Sequence, residues 1–263
     1  MLELTALDPV LNVFAEYRSR ITQLEPRWLG GEIWGYHEDG RLVSACHAAA
    51  NLVPVQATAP AIAAFAERAV SQPRRCATIV GPAHAVGGLW QHLSAHWPRP
   101  REIRPNQPHL EISQAPAIAP DPAVRRTEPV DADVLYPACV AMYTEEVGVS
   151  PEAGGGAELY RARVAQLVAK GWSFARIENG RVVFKAEVAA VSPYACQVQG
   201  VFVDPARRGE GIAAAGMAAV VEHALRDIAP VVSLYVNEHN VAARRAYARA
   251  GFVQSGSFTT IMF

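Results

Sequence analysis

Leu11, Phe14 and Ile21 fall on one helical face and predict a helix over residues 9–21. Residues 31–36 and 41–48 then read as strands flanking a turn at residues 37–40, which contains the dipeptide Asp39-Gly40. Residues 60–70 follow as a helix by their Ala/Phe pattern, 76–80 as a short buried strand and 83–96 as another helix. Prolines at positions 98, 100, 105, 108, 116, 120, 122 and 129 then interrupt the pattern. Proline removes a backbone donor and fixes φ, so this stretch is expected to hold neither a helix nor a central strand. The chain accordingly divides into an α/β lobe at 1–113, a linker at 114–122 and a second lobe at 123–263.

The second lobe opens with a possible strand at 123–127. Val134, Leu135, Ala138 and Met142 mark a helix over 132–143, and Tyr160, Val164, Leu167 and Val168 another over 157–170, closed by Gly171. Strands at 172–177 and 182–191 are joined through Asn179-Gly180, a pair suited to the positive φ angles of a tight hairpin. A strand at 195–203, a helix at 212–226, a strand at 231–236, a helix at 240–250 and a strand at 254–263 complete the order β-α-α-β-β-β-α-β-α-β. The expected class is α/β with a mixed sheet.

Composition narrows the functional classes. Apolar residues are 51 % of the 263 and charged residues 19 %, as in an ordinary folded domain. The formal net charge of -1 supplies no field for holding a nucleic-acid backbone. The longest apolar run, 212–221, is far short of the roughly 20 residues of a membrane span, and the acidic N-terminal segment lacks the basic start of a secretory signal, so a cytoplasmic location without membrane contact is expected. Cys46, Cys76, Cys139 and Cys196 are widely spaced, which suggests buried small hydrophobes and no metal site or disulfide framework.

Chemistry concentrates in Val201-Phe-Val-Asp-Pro-Ala-Arg-Arg-Gly-Glu-Gly-Ile-Ala213, where a strand passes through two glycines into a helix. Glycines let backbone amides approach an anion, and a helix start offers unpaired N–H groups at its positive dipole end. The absence of a following Gly-Lys-Ser/Thr excludes a P-loop, and the surrounding elements do not alternate as a Rossmann unit requires.

The segment Arg208-x-x-Gly211-x-Ala213, followed by Leu234-x-Val236-x-x-x-Asn240-x-x-Ala243-x-x-x-Tyr247-x-x-x-Gly251-Phe252, resembles the GNAT superfamily of acyl-CoA-dependent N-acetyltransferases. The resemblance implies a GNAT fold across 123–263 and acetyl-CoA as cosubstrate, with no metal. It further implies a pyrophosphate held by amides of Arg208, Gly209, Glu210, Gly211, Ile212 and Ala213. Val201, Phe202 and Val203 would flank the pantetheine arm, with Asn240 and Ala243 near it and Tyr247 beside the departing sulfur. Asn240 also suits the N-cap of its helix, and Tyr247 has core packing as its alternative role.

Many members carry a glutamate base where this chain has Gln197, with Gln199 two residues on along the same strand face. Glutamine cannot act as a base at neutral pH. Glu145 and Glu146, in the turn after the first helix of the lobe, are therefore candidate substrate-binding or proton-accepting groups, as is Glu187 on the preceding strand. The expected activity is acetyl transfer to a primary amine on a small molecule or protein; a non-catalytic acyl-CoA-binding regulator is the alternative. The acceptor and the oligomeric state stay open. The N-terminal lobe echoes the same element order but has Leu52-Val-Pro-Val-Gln-Ala-Thr-Ala-Pro at the cradle position, which suggests either a degenerate GNAT-like lobe that holds no CoA or an unrelated α/β domain.

Overall fold

The computed structural model describes all 263 residues. Helices α1 (Leu2–Thr5), α2 (Val13–Thr22) and α3 (Pro26–Leu29) precede strands β1 (Glu32–Glu38), β2 (Arg41–Ala48) and β3 (Asn51–Val55). Then come α4 (Ala59–Val70), β4 (Thr78–Pro82), α5 (Ala83–Leu93) and β5 (Glu102–Ile112). The second half runs β6 (Arg125–Arg126), α6 (Ala132–Val147), α7 (Ala157–Ala169), β7 (Ser173–Glu178), β8 (Arg181–Val191), β9 (Cys196–Val203), α8 (Ile212–Asp227), β10 (Val232–Tyr235), α9 (Val241–Ala250) and β11 (Val253–Met262). From β1 to β5 and from β7 to β11 the order is the same: three strands, a helix, a strand, a helix and a strand.

All eleven strands join one sheet in the order β1-β2-β3-β4-β11-β5-β10-β9-β8-β7-β6. Its two central strands have changed sides. β11, the last strand of the second half, lies between β4 and β5, while β5, the last strand of the first half, lies between β11 and β10. The packing follows the exchange. Ile261 of β11 is buried in the N-terminal core with Ile79, Val86 and Leu89, whereas Leu110 and Ile112 of β5 are buried in the C-terminal core with Val198, Met217 and Leu234. The segment from 113 to 124 holds no helix or strand, yet it is tied to the second half: the Ala117 amide donates to the Ala250 carbonyl and the Asp121 amide to that of Ala215.

The proline argument fails at β5, a central strand that contains both Pro105 and Pro108. Arg104 faces Thr260 and Gln107 faces Phe258, so Pro105 and Asn106 together oppose Thr259 in a bulge where Asn106 takes φ +54°. A bulge removes the need for the ladder donor that proline lacks. Pro108 contributes through its carbonyl, which accepts from the Val236 amide. Strand β3, also unexpected, contains Pro54 beside the short β3·β4 pairing. The hairpin at Asn179-Gly180 forms as expected, with φ of +50° and +72°.

Because each lobe's core contains a strand of the other, the two should unfold together. Ile261→Ala removes a side chain that is 1 % exposed, at a cost of about 2–5 kcal/mol. Denaturant unfolding followed by circular dichroism should show one transition with a lowered midpoint. A C-terminal lobe that keeps its wild-type midpoint while the N-terminal lobe melts separately would contradict this interlock.

Candidate active site

β9 and β10 are parallel, but their pairing consists of Cys196 with Val232 and Gln197 with Ser233. Beyond that point the strands part, and β9 runs on to Val203 beside an open gap. A bulge in β9 shapes the gap. Lys185 of β8 faces Phe202 and Glu187 faces Gln199, so Gly200 and Val201 together oppose Ala186. Gly200 has φ +63°, and a Cβ there would lie 3.0 Å from the Glu187 carboxyl carbon and 3.1 Å from the Met142 methyl. The extra residue reverses the alternation of the strand. Val198 packs into the core beneath α8, while Phe202 packs on the opposite face with α6 and α7. Gln197 and Gln199 share that second face.

β9 leads through Asp204 and a single 3-10 turn into the Arg208–Ala213 segment. Asp204 caps the turn by accepting from the Ala206 amide at 3.0 Å. Gly209 and Gly211 take φ +87° and +82°, which turns successive amides toward one side. None of the six amides from Arg208 to Ala213 has a hydrogen-bond partner, because α8 takes its first internal bonds at Ala214 and Ala215. The arginines add charge: Arg208 reaches Glu145 at 2.7 Å, and Arg249 of α9 stands 3.7 Å from the place a Gly211 side chain would take. The segment thus gathers free amides and two arginines at the start of a helix, a geometry suited to an anion.

The equivalent turn of the N-terminal lobe, between β3 and α4, is closed. Thr58 donates its amide to Ser44 Oγ at 3.2 Å, its own side chain caps the Ala61 amide, and Pro60 has no N–H. The turn thus carries a side-chain cap and a proline where the second half has glycines.

Across the cradle, α9 begins at Asn240, whose side chain accepts from the Ala243 amide at 3.1 Å. About two turns on, Tyr247 is 6 % exposed, packs edge-on to Phe252 at 5.9 Å and makes no hydrogen bond through its hydroxyl. Burial, with the Glu146 carboxylate as a second cause, pushes its phenol well above the usual range, so it stays protonated.

The candidate carboxylates have different surroundings. Glu145 is paired with Arg208. Glu146 is held by Arg104 of β5 and by the Asn237 amide at 3.1 Å, and Asn237 in turn accepts from Gln107 at 2.8 Å. Glu187 is buried on the face shared with Gln197 and Gln199. Gln199 donates to it at 2.9 Å, Lys185 at 3.1 Å, and the Arg163 guanidinium of α7 lies 4.0 Å away. Burial opposes the charge on Glu187, but Lys185 and these donors outweigh it and hold the carboxyl below its ordinary value. Lys185 is likewise opposed by burial and held charged by Glu187. Gln197 is buried and its side chain makes no hydrogen bond within the protein.

These groups line one cavity of about 1330 Å³, and the N-terminal lobe supplies much of its other wall. Helix α2 lies against β8 and β9 through Val13, Ala190 and Ala195. It presents Phe14, Tyr17 and Arg18, beside Lys170, Trp172 and His47. The sequence pointed to none of these, since nothing in α2 shows that it packs on the other lobe's sheet. Arg163 and Lys170 share helical spacing with Tyr160 and Leu167, but in the sequence only the apolar residues marked that helix face.

No helix is long and apolar enough to cross a membrane, and no three potential metal-ligating side chains cluster. Residues 145–252 match the model of the acetyltransferase (GNAT) family. Residues 31–135 match a second family, described as a domain of unknown function, DUF4081. No curated protein matches the chain at a significant level. Among solved structures, a Drosophila protein is 14 % identical and aligns over 100 % of this chain and 94 % of its own, with a TM-score of 0.65. A GCN5-related N-acetyltransferase from Sphaerobacter thermophilus is 18 % identical over 95 % of this chain and 90 % of its own, at 0.58. An acetyltransferase of the GNAT family from Colwellia psychrerythraea is 14 % identical over 88 % and 85 %, at 0.55. The splayed strands, the cradle and these matches together make the segment 145–252 a GNAT-family acetyltransferase domain, built into one sheet with an additional N-terminal domain.

Proposed function

We propose that the chain transfers an acetyl group from acetyl-CoA to a primary amine by direct attack on the thioester. The observation that carries this reading is the run of six unpartnered amides at the start of α8, beside a strand edge left open by the β9–β10 splay. The residues fit the cosubstrate. The amides from Arg208 to Ala213 and the Arg208 and Arg249 guanidinium groups would hold the pyrophosphate. The free edge of β9 at Val201, Phe202 and Val203 suits the amides of a pantetheine arm, with Asn240 and Ala243 closing the other side. When bound, acetyl-CoA supplies an acyl group already activated as a thioester.

The chain's part is orientation and proton management. A strand amide near Val201 would polarise the acyl carbonyl, and Tyr247, buried and protonated, would donate to the leaving sulfur. Glu145 and Glu146 are each engaged by arginine, so we assign them to bracing the cradle and the β5–α6 contact. Glu187, with Gln197 and Gln199 beside it, is the group we assign to receiving the amine. Its carboxylate, held charged by Lys185, attracts an ammonium and can take a proton directly or through water. The N-terminal lobe, with its closed β3–α4 turn, builds acceptor wall and binds no CoA.

Two variants test the assignment. Gly211→Asp puts a side chain and a negative charge into the cradle at a φ that disfavours it, and titration calorimetry should show acetyl-CoA binding lost; unchanged affinity would remove the cradle from the account. Tyr247→Phe deletes one hydroxyl. It should lower kcat by roughly 10²-fold with CoA affinity retained, and a loss below about threefold would leave Tyr247 with packing alone.

A further inference from the structure

We propose that the amine acceptor is an α-amino acid with an apolar or aromatic side chain, recognised as a zwitterion by Glu187 and Arg163; this rests on the acetyl-transfer reading above. The acceptor side of the cavity is the face of β8 and β9 covered by α6, α7 and α2. Its charges are unbalanced. Of the carboxylates lining the cavity, Glu145 and Glu146 of α6 are paired with Arg208 and Arg104, and Glu187 is neutralised from below by Lys185. Facing it are three cations without a carboxylate at hydrogen-bond distance. Arg163 lies 4.0 Å from Glu187. Lys170 donates to the Tyr17 hydroxyl at 2.9 Å, and Arg18 donates to the carbonyls of Trp28 and Leu29. A simple cationic amine would enter a site with surplus positive charge. An amine that brings its own anion would not.

Geometry narrows the anion's position. Arg163 and Glu187 form a loose pair, too far apart to hydrogen-bond, and Arg163 is half-exposed, so its planar fork is free to take a carboxylate with two parallel bonds. An α-amino acid carries ammonium and carboxylate on one carbon. It can therefore insert into this pair with its ammonium on Glu187 and its carboxylate on Arg163, reversing the contact that is there. Its side chain then meets the aromatic wall. Tyr17 and Trp172 stand edge-to-face at 5.7 Å, and Phe14 packs edge-on to His47 at 5.6 Å. His47 is buried, and burial, followed by the nearby Arg18, lowers its pKa to about 4, so it lines this wall as a neutral ring. Lys170 lies 4.5 Å over the Trp172 ring at the rim and adds to the field that draws the carboxylate in.

The transfer balances without another reactant. The ammonium loses one proton to Glu187 and on to solvent, and the neutral nitrogen forms the new C–N bond to the acetyl carbon. As the C–S bond breaks, the sulfur takes its proton from Tyr247, which is restored by the second proton leaving the nitrogen. The products are an N-acetylamino acid, CoA thiol and one released proton.

The experiment compares L-phenylalanine and L-leucine with their decarboxylated counterparts, phenethylamine and isopentylamine, by CoA-thiol release from acetyl-CoA. The wild-type protein should prefer the amino acid of each pair by at least tenfold in kcat/KM. Arg163→Gln should raise the KM for phenylalanine by tenfold or more, leave the phenethylamine KM no higher than in the wild type, and leave acetyl-CoA affinity unchanged. Amines turned over as well as or better than their amino acids would overturn the proposal and leave acetyl transfer standing, as would an Arg163→Gln loss shared equally by both. No release with any of the four would also overturn it, and if acetyl-CoA binding were absent as well, the underlying reading would fall with it.

Discussion

β5 and β11 lie side by side at the centre of the sheet, and each completes the core of the half of the chain it does not belong to. Fully burying a side chain such as Leu110 or Ile261 contributes about 1.5–3 kcal/mol, so withdrawing either strand would open the opposite lobe's core as well as break the central ladder. Part of the site rests directly on this pairing. β5 carries Arg104 and Gln107, which fix Glu146 and Asn237 at the mouth of the β9–β10 gap. It also pairs with β10, so the strand that parts from β9 is held on its far side by a strand of the first half.

The shared sheet also lets two lobes of equal element order do different work. Both have a parallel pair that parts after two residues, β3 with β4 and β9 with β10. In the second half the strand runs into glycines, and the amides stay free. In the first half the strand runs into Gln56, Thr58 and Pro60, and the Thr58 and Ala61 amides are taken by the side chains of Ser44 and Thr58. Without such a run of free amides, that lobe contributes to the cavity in another way. Its helix α2 crosses to β8 and β9 and lines the same cavity as Gln197 and Glu187 with Phe14, Tyr17 and Arg18, so the cavity has the free amides of the glycine turn at one end and an apolar, cationic wall from both halves.

Local signals carried much of this. The hairpin at Asn179-Gly180, the helices with capped ends and the glycine turn leading from β9 into α8 were legible because each depends on residues near one another in the chain. β5 was not, because Pro105 and Pro108 forbid a regular central strand and become tolerable through a bulge that exists when Thr259 lies opposite. The exchange of β5 and β11 was hidden for a similar reason: the pattern of a strand records which residues are buried, and not which neighbour buries them. The pairing of Glu145 with Arg208 and of Glu146 with Arg104 was equally out of reach, since a turn with two adjacent carboxylates looks the same whether its charges are free or occupied.

The central claim is that two lobes of like topology share one sheet while a single cradle, on α8, takes the cofactor. Amide hydrogen exchange with and without acetyl-CoA tests it directly, because the six unpartnered amides from Arg208 to Ala213 have no protection of their own to lose. The account predicts that acetyl-CoA slows exchange at 208–213 and along 198–203, and leaves residues 56–62 at the start of α4 unchanged. Protection at 56–62, or none at 208–213, would contradict it.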